Sequence, residues 1–306
     1  MKKVLIIGAD GFIGSKLCEH LSSRCSVVAF VYEKSLISYD SFASNVTVVP
    51  YNFETILIKD YSEVLANVDV MYHMAWAGVT GPLKNEGEMQ VQNISFGIKV
   101  MELANKYGIH KVVVPGSASE FALGDGIIDG KKNSAPSDMY SACKVATRYV
   151  CQTYANQHHI GLVWTFITSI YGPGRNDNNL LTYVIKSLLN GERPQTTKLE
   201  QQWDYLYIDD LLRALELLGE KGIGGKNYPI GSGDNRPMCE FVQIIKDCIN
   251  NSLPVGVGDL PYKSSKIDNQ IMDISELYKD TGFIPTVSFE KGIERTIDYF
   301  RLQQKI

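Results

Sequence analysis

Val4-Leu5-Ile6-Ile7-Gly8-Ala9-Asp10-Gly11-Phe12-Ile13-Gly14 is the stretch whose reading decides the fold. An apolar run too short for a buried helix meets three glycines at three-residue spacing. Beyond them, Ser15-Lys16-Leu17-Cys18-Glu19-His20-Leu21 carries apolar residues at helical spacing. That is strand, tight turn, helix. The first glycine turns the chain, the second lets backbone approach a pyrophosphate, and the third lets the helix pack against the strand. An anion then sits at the helix N-terminus, where unpaired N–H groups and the dipole favour negative charge. Such glycines also occur in bare structural turns; the flanking strand and helix favour dinucleotide binding.

Outward from that motif, Val27-Val28-Ala29-Phe30-Val31 reads as a second buried strand. Its end should carry the group that reads the adenosine ribose, roughly 20 residues past the glycines. Tyr32 stands there, followed by Glu33 and Lys34. An acid at that place would favour NAD, because it accepts from a free 2′-hydroxyl and repels a 2′-phosphate. Glu33 is one place late and Lys34 could meet a phosphate, so NADP and NAD both stay open, with the balance tilted to NADPH. Val46-Thr47-Val48-Val49-Pro50 is a third short strand, and Asn52-Phe53 beyond it can flank an adenine. Asp69 to His73 reads as a fourth strand running into Met74-Ala75-Trp76-Ala77-Gly78, whose small residues let backbone pass under a cofactor. His73 reads as a satisfied core histidine. A helical pattern from about Met89 to Tyr107 leads to the strand Lys111-Val112-Val113-Val114. Strands alternating with helices in this rhythm give an α/β, Rossmann-like, doubly wound parallel sheet.

The composition agrees. The chain has 306 residues, 44% hydrophobic and 21% charged, enough for a large core in one large domain or two coupled lobes. A net charge of −4 leaves no basic footprint for nucleic acid. No apolar run approaches membrane-spanning length, and Met1-Lys2-Lys3 leads straight into a strand, so neither a membrane span nor a signal peptide is expected. Cys18, Cys25, Cys143, Cys151, Cys239 and Cys248 are scattered without C-x-x-C pairs, which reads as reduced core residues in a cytoplasmic protein. The glycosylation-type triplets at Asn45 and Asn93 are then chance matches. No metal site is expected, and His158-His159 reads as a surface pair at a helix end.

Pro115-Gly116-Ser117-Ala118-Ser119-Glu120-Phe121 lies at the carboxyl end of the Lys111 strand, where ligands bind in such sheets. A Gly- and Asp-rich loop, Gly124 to Gly130, precedes Pro136-Ser137-Asp138, which starts a helix carrying Tyr140-Ser141-Ala142-Cys143-Lys144. Tyr140 and Lys144, four apart, share one helical face. A phenol titrates near pH 10 (roughly) and exchanges protons poorly at neutral pH unless a nearby cation favours the phenolate. Lys144 can supply that charge and hold a ribose hydroxyl, while Ser117 can hydrogen-bond a substrate oxygen. Together they would move a proton while a nicotinamide moves a hydride.

The glycine motif, the His73-Met74-Ala75 strand end, Ser117, Tyr140/Lys144, Tyr171-Gly172-Pro173-Gly174 and Asp204-Tyr205-Leu206-Tyr207-Ile208-Asp209-Asp210 resemble the extended short-chain dehydrogenase/reductase family over nearly the whole chain. That family comprises NAD-dependent nucleotide-sugar epimerases, dehydratases and reductases. The resemblance implies Ser117, Tyr140 and Lys144 as the catalytic set, a nucleoside-diphosphate sugar as substrate, and a homodimer built on the helix of Tyr140 and its predecessor. Cofactor contacts are then expected from Gly8, Gly11, Phe12, Ile13, Gly14, Tyr32, Lys34, Asn52, Phe53, Met74, Ala75, Trp76, Tyr140, Lys144 and Thr168. Substrate contacts are expected from Ser119, Ser169, Arg175, Asn179, Leu180, Gln202 and Tyr262. Residues 1–170 would form the dinucleotide-binding domain, with the chain returning to it around 203–235; 171–202 and 236–306 would form the substrate lobe. Leu162 to Ile170 reads as a sixth strand, Asn179-Leu180-Leu181 as a helix start, and Asp209 and Asp210 as N-caps. Arg175, Arg236 and Lys263 are candidate diphosphate contacts or solvated surface charge.

Departures from the family pattern narrow the activity. In the sugar 4,6-dehydratases, Asp and Glu directly follow the catalytic hydroxyl residue; here Ala118 and Ser119 stand there and cannot do carboxylate chemistry. The Gly116–Phe121 segment, Gln201-Gln202-Trp203-Asp204-Tyr205 and Leu260-Pro261-Tyr262-Lys263 look more like the 4-keto-6-deoxyhexose reductases of deoxysugar and surface-polysaccharide synthesis. A nucleotide-sugar 4-epimerase is the alternative, and a non-catalytic cofactor-sensing scaffold a remote third.

Overall fold

The computed structural model describes residues 1–121, 126–249, 252–262 and 269–304. The opening apolar run is β1 (Lys3–Ile7), which turns at Gly8 into α1 (Phe12–Ser22). Then come β2 (Ser26–Tyr32), β3 (Val46–Tyr51), the single turn α2 (Ser62–Leu65), β4 (Val70–His73), α3 (Gly87–Lys106) and β5 (Lys111–Ser117). The two-residue β6 (Ile127–Ile128) precedes α4 (Met139–His158), β7 (Gly161–Ile167) and β8 (Ser169–Tyr171). The rest of the chain forms α5 (Leu180–Leu189), β9 (Gln195–Thr196), β10 (Tyr205–Tyr207), α6 (Ile208–Lys221), β11 (Asn227–Ile230) and α7 (Met238–Ile249). It closes with β12 (Gly256–Val257), β13 (Ile271–Met272), α8 (Ser275–Thr281) and α9 (Phe289–Gln303).

The main sheet is parallel throughout, in the order β11-β7-β5-β4-β1-β2-β3. This is the doubly wound fold expected from the sequence. Apart from the edge strand β3, its strands are largely buried on both faces, which is why they read as unbroken apolar runs. Alternate residues serve opposite faces. Leu5, Ile7, Phe30, Met71 and Trp164 belong to the core shared with Phe96 and Val100 of α3 and Cys151 of α4. Val4, Ile6, Ala29, Tyr72 and Val163 belong to the core that continues through α5, α6, α7 and α9. Strand order reverses between β1 and β4, so the binding crevice opens at their carboxyl ends. No helix among the described residues is long and apolar enough to cross a membrane.

Two local expectations fail. The strand read from Leu162 to Ile170 is two: β7 stops at Ile167, and β8 pairs with β10 outside the main sheet. Thr168 makes the break, its N–H donating to the Ile230 carbonyl (3.1 Å) and its hydroxyl donating to the Asp204 carbonyl (2.6 Å). Asp209 and Asp210 do not cap α6; Tyr207 holds the cap position with no side-chain hydrogen bond, because the helix begins at Ile208. Asp210 is fully buried and accepts from Thr286 N–H (2.9 Å), Val287 N–H (2.8 Å) and Arg213 (2.7 Å), pinning the approach to α9 onto α6.

Candidate active site

The glycine turn after β1 faces the loop after β4. A Cβ at Gly8 (φ +85°) would meet Ala75 N at 2.5 Å, and one at Gly14 would run into the Gly8 carbonyl. Those two glycines are required by the chain's own packing. Gly11 is different: a Cβ there would find only the Gly8 carbonyl, at an ordinary 3.5 Å, and the residue is exposed. Gly11 is also the N-cap of α1, with no side-chain cap and no acid in the first turn, leaving the Phe12, Ile13 and Gly14 N–H groups for an anion. A pyrophosphate fits this cradle. Met74 N–H donates to the Ile7 carbonyl (2.8 Å), holding the β4 loop beside it.

At the end of β2, the Tyr32 ring stacks on Phe53 with centroids 5.1 Å apart, a flat aromatic step suited to an adenine. Asn52 donates its amide to Glu33, and Lys34 is exposed. Sequence reading missed Asp10: its carboxylate accepts from the Tyr32 N–H at 3.4 Å, so an acid from the glycine turn reaches the end of β2.

Ser117 ends β5, and its hydroxyl bonds the Ser119 hydroxyl at 2.8 Å. The Asp138 carboxylate caps α4 by accepting from Ser141 N–H (2.7 Å), which sets the register of Tyr140 and Lys144. Part of the Tyr140 surface stays open, yet burial pushes its phenol up to about 12; hydrogen bonding with Ser117 pulls it down, Glu120 and Asp138 push it up, and Arg175 pulls it down. Lys144 is buried and donates to the Pro115 carbonyl at 2.8 Å, and burial lowers its ammonium to about 7. Its Nζ stands 5.9 Å from the Tyr140 ring centroid and only 3.7 Å from that of Trp76. The cations that act on the phenol ring also include Lys84, 4.8 Å from its centroid and paired with Asp138 at 3.3 Å, which the sequence did not suggest.

On the substrate side, the Ser169 hydroxyl accepts from Trp203 Nε1 (2.9 Å). Asn179 caps α5, accepting from Thr182 N–H (3.1 Å), and Leu180 is its first residue. Gln202 is exposed, and the Tyr262 hydroxyl accepts from Glu200 N–H (3.0 Å) while donating to Gln201 (3.2 Å). Arg175 is held by Asp177 through two bonds (2.6 and 2.8 Å), and Arg236 by Asp234 (2.8 Å) and Glu290 (2.9 Å), so neither presents an uncompensated charge to a diphosphate. Thr168 likewise has its hydroxyl and N–H engaged within the chain rather than offered to a cofactor. Lys263 and the first residues of the Gly124–Gly130 loop lie outside the described residues. His73 is a core residue, but not a satisfied one: its Nδ1 has no hydrogen-bond partner among the described residues. His158 ends α4, stacked on Tyr154 at 4.1 Å.

Residues 4–231 match the NAD dependent epimerase/dehydratase family. Among curated relatives, a UDP-N-acetyl-alpha-D-glucosaminuronate decarboxylase of Bacillus cytotoxicus is 27% identical, covering 98% of each chain. A dTDP-glucose 4,6-dehydratase of Neisseria meningitidis is 24% identical over 98% of this chain and 93% of the relative. Among solved structures, the UDP-glucuronic acid 4-epimerase of Bacillus cereus in complex with NAD superposes with a TM-score of 0.85 at 23% identity, covering 99% of this chain and 98% of that one.

Proposed function

The chain belongs to the NAD dependent epimerase/dehydratase family, and within it we propose that it reduces the C4 keto group of a nucleoside-diphosphate 4-keto-6-deoxyhexose. The observation that carries this reading is the lack of a carboxylate at the two positions directly after Ser117. Ala118 and Ser119 follow it, and the next carboxylate, Glu120, is fully buried and bonded to Arg148 (3.0 Å) and to Trp164 (3.0 Å). Among the described residues no acid there is placed to eliminate water, which argues against dehydration. A Ser–Tyr–Lys set alone suits oxidation or reduction at one carbon.

A bound nicotinamide cofactor supplies the hydride. Gly8, Gly11 and Gly14 would hold its pyrophosphate, Tyr32 and Phe53 its adenine, and Lys144 a ribose hydroxyl. Ser117 hydrogen-bonds the C4 oxygen and orients it. The Tyr140 phenol, held in its protonated form by burial, donates its proton to that oxygen as the carbonyl becomes an alcohol. Asp10 and Glu33 at the end of β2 favour NAD over NADP, against the tilt that Lys34 gave to the sequence reading.

A 4-epimerase is the second reading, favoured by the same acidic ribose pocket, since an NAD that is reduced and reoxidised within one turnover need not be exchanged. The discriminating experiment is the near-ultraviolet absorbance of NADH or NADPH with purified protein and nucleotide-linked 4-keto-6-deoxyglucose. Stoichiometric consumption supports the reductase. No consumption, with tightly bound NAD released on denaturation, transfers the assignment to the epimerase. Tyr140→Phe should abolish turnover, a loss of about 100-fold or more, while cofactor still binds; retained turnover would remove Tyr140 as the acid and turnover absent from the wild type on every sugar would favour a sensing scaffold. We place the protein in the cytoplasm as a homodimer, to be checked by sedimentation.

A further inference from the structure

We propose that Trp76 is a positioning residue for Lys144: its indole face holds the ammonium, and Gln90 locks the indole in place. The Lys144 Nζ lies 3.7 Å from the Trp76 ring centroid. The same indole meets the Tyr140 ring edge-on, centroids 5.8 Å apart at 80°, so one side chain touches both members of the pair. Sequence reading gave this position a cofactor contact and no part in holding Lys144.

The lock is built from α3. Gln90 is fully buried; its Oε1 accepts from Trp76 Nε1 at 3.0 Å, and its Nε2 donates to the Gly78 (2.8 Å) and Leu83 (3.0 Å) carbonyls. One turn on, Asn93 accepts from Ala77 N–H (2.9 Å) and donates to the Ala77 carbonyl (3.0 Å). Both amides fasten the 76–83 loop to the helix, so the indole is held where the amine meets it.

A buried ammonium needs compensation on every side. Lys144 has three N–H donors, and the Pro115 carbonyl takes one. The other titratable groups around it offer little. Glu120, from the turn after β5, favours the charge but is itself bonded to Arg148. Cys151, on the same helix, is pushed up to about 12 by burial and is neutral; His73, at the end of β4, is lowered to about 3, by burial first and then by Lys144. Tyr140 is protonated at neutral pH. Among the described residues, the negative face of the indole, 3.7 Å away against 5.9 Å for the Tyr140 ring, is the nearest aromatic group that favours the charged form. Its consequence for turnover rests on the Tyr140/Lys144 reading above, but the charge can be read without turnover.

The experiment is a pH titration of the full chain with carbon-labelled lysine side chains, followed by NMR, with the Lys144 resonance assigned from Lys144→Met. In Trp76→Leu the titration midpoint should fall by about one pH unit, the size of a desolvated cation–π contact. In Trp76→Phe, which keeps an aromatic face, it should fall by less than half as much. Gln90→Met, which frees the indole N–H while keeping the volume, should fall between wild type and Trp76→Leu. An unchanged midpoint in Trp76→Leu overturns the proposal, as do equal shifts in the Leu and Phe variants, which would assign the effect to packing. If Trp76→Leu shows no cooperative melting, Gln90→Met decides, and a wild-type midpoint there overturns it. Turnover lost with an unmoved midpoint would fault this inference; a moved midpoint without any activity on 4-keto sugars would fault the reductase reading alone.

Discussion

The backbone N–H of Ser117 donates to the buried Glu120 carboxylate at 3.1 Å. Three residues of chain thus fold back so that an acid sets the backbone of the hydroxyl proposed to hold the substrate oxygen. The same carboxylate accepts from Trp164 (3.0 Å) on β7 and from Arg148 (3.0 Å) on α4, and the Arg148 guanidinium continues to the Ser134 hydroxyl at 2.5 Å. Strand end, neighbouring strand and the helix of Tyr140 are joined at one charge pair. Burial pushes Glu120 up, and Arg148 pulls it down.

Removing Arg148 should therefore be expensive. Arg148→Met leaves Glu120 buried without its cation, a loss of about 3–5 kcal/mol in denaturant unfolding. Glu120→Gln should cost less, because a carbonyl oxygen still accepts from Ser117 and Trp164. The double variant with Glu120→Leu should recover only part of the loss, since those two donors are then orphaned. Equal unfolding free energies for wild type and Arg148→Met would show that the pair carries no stability.

Lys144 should be a stability cost retained for function. Its folded value, about 7, lies below that of a free lysine, so between pH 7 and about 10 the folded chain binds fewer protons than the unfolded one. Stability then rises with pH through that window, and the burial penalty is fully present below it. Lys144→Met should be more stable than wild type at pH 6–7 by an amount on the order of 2 kcal/mol, the gap closing toward pH 10. Thermal melts of the two proteins across pH test this; a gap that widens with pH contradicts it.

What the sequence made legible was what local chemistry dictates. The β1–turn–α1 unit, the parallel alternation and the position of Ser117 at the carboxyl end of β5 follow from short apolar runs and from glycines, and the shared face of Tyr140 and Lys144 on α4 from their spacing. What it hid depends on tertiary partners. The end of β7 at Ile167 is set by Ile230 and Asp204, far along the chain, and nothing in Leu162–Ile170 announces it. Asp210 looks like a cap until Thr286 and Val287 are folded against it. Arg175 and Arg236 look like free cations because Asp177 and Asp234, two residues from each, read equally well as surface charge. Glu120 carried a signal that could have been used: a carboxylate following a buried strand, with Arg148 one turn beyond Lys144.

Cofactor choice should follow Asp10. With its carboxylate at the Tyr32 N–H and Glu33 beside it, a 2′-phosphate would be brought against two negative charges. Tryptophan-fluorescence titration should find NADH bound at least about tenfold more tightly than NADPH, and Asp10→Asn should narrow the ratio by about threefold or more, since like charges brought together are costly. Tighter NADPH binding would return the assignment to Lys34.

The three glycines of the opening turn should separate cleanly by what each one serves. Gly8 has φ +85°, and a Cβ would strike the Ala75 backbone at 2.5–2.7 Å, so Gly8→Ala must displace β4's loop from β1. Gly14→Ala meets the Gly8 carbonyl and must push α1 off the strand. Each should lower stability by about 2 kcal/mol or more, through strain or overpacking. Gly11 has an ordinary extended conformation (φ −81°, ψ 166°) and room for a methyl group. Gly11→Ala should then melt within about 0.5 kcal/mol of wild type, as a change at an unstrained exposed site does, while NADH binding falls by about tenfold or more, the approach of a pyrophosphate being blocked. The contrast is the test, because a merely structural turn predicts that Gly11→Ala leaves NADH binding unchanged. If Gly11→Ala binds NADH as wild type does, the space above Gly11 is not a pyrophosphate site. If it unfolds like Gly8→Ala, the methyl group meets something in the chain that its open surroundings do not account for.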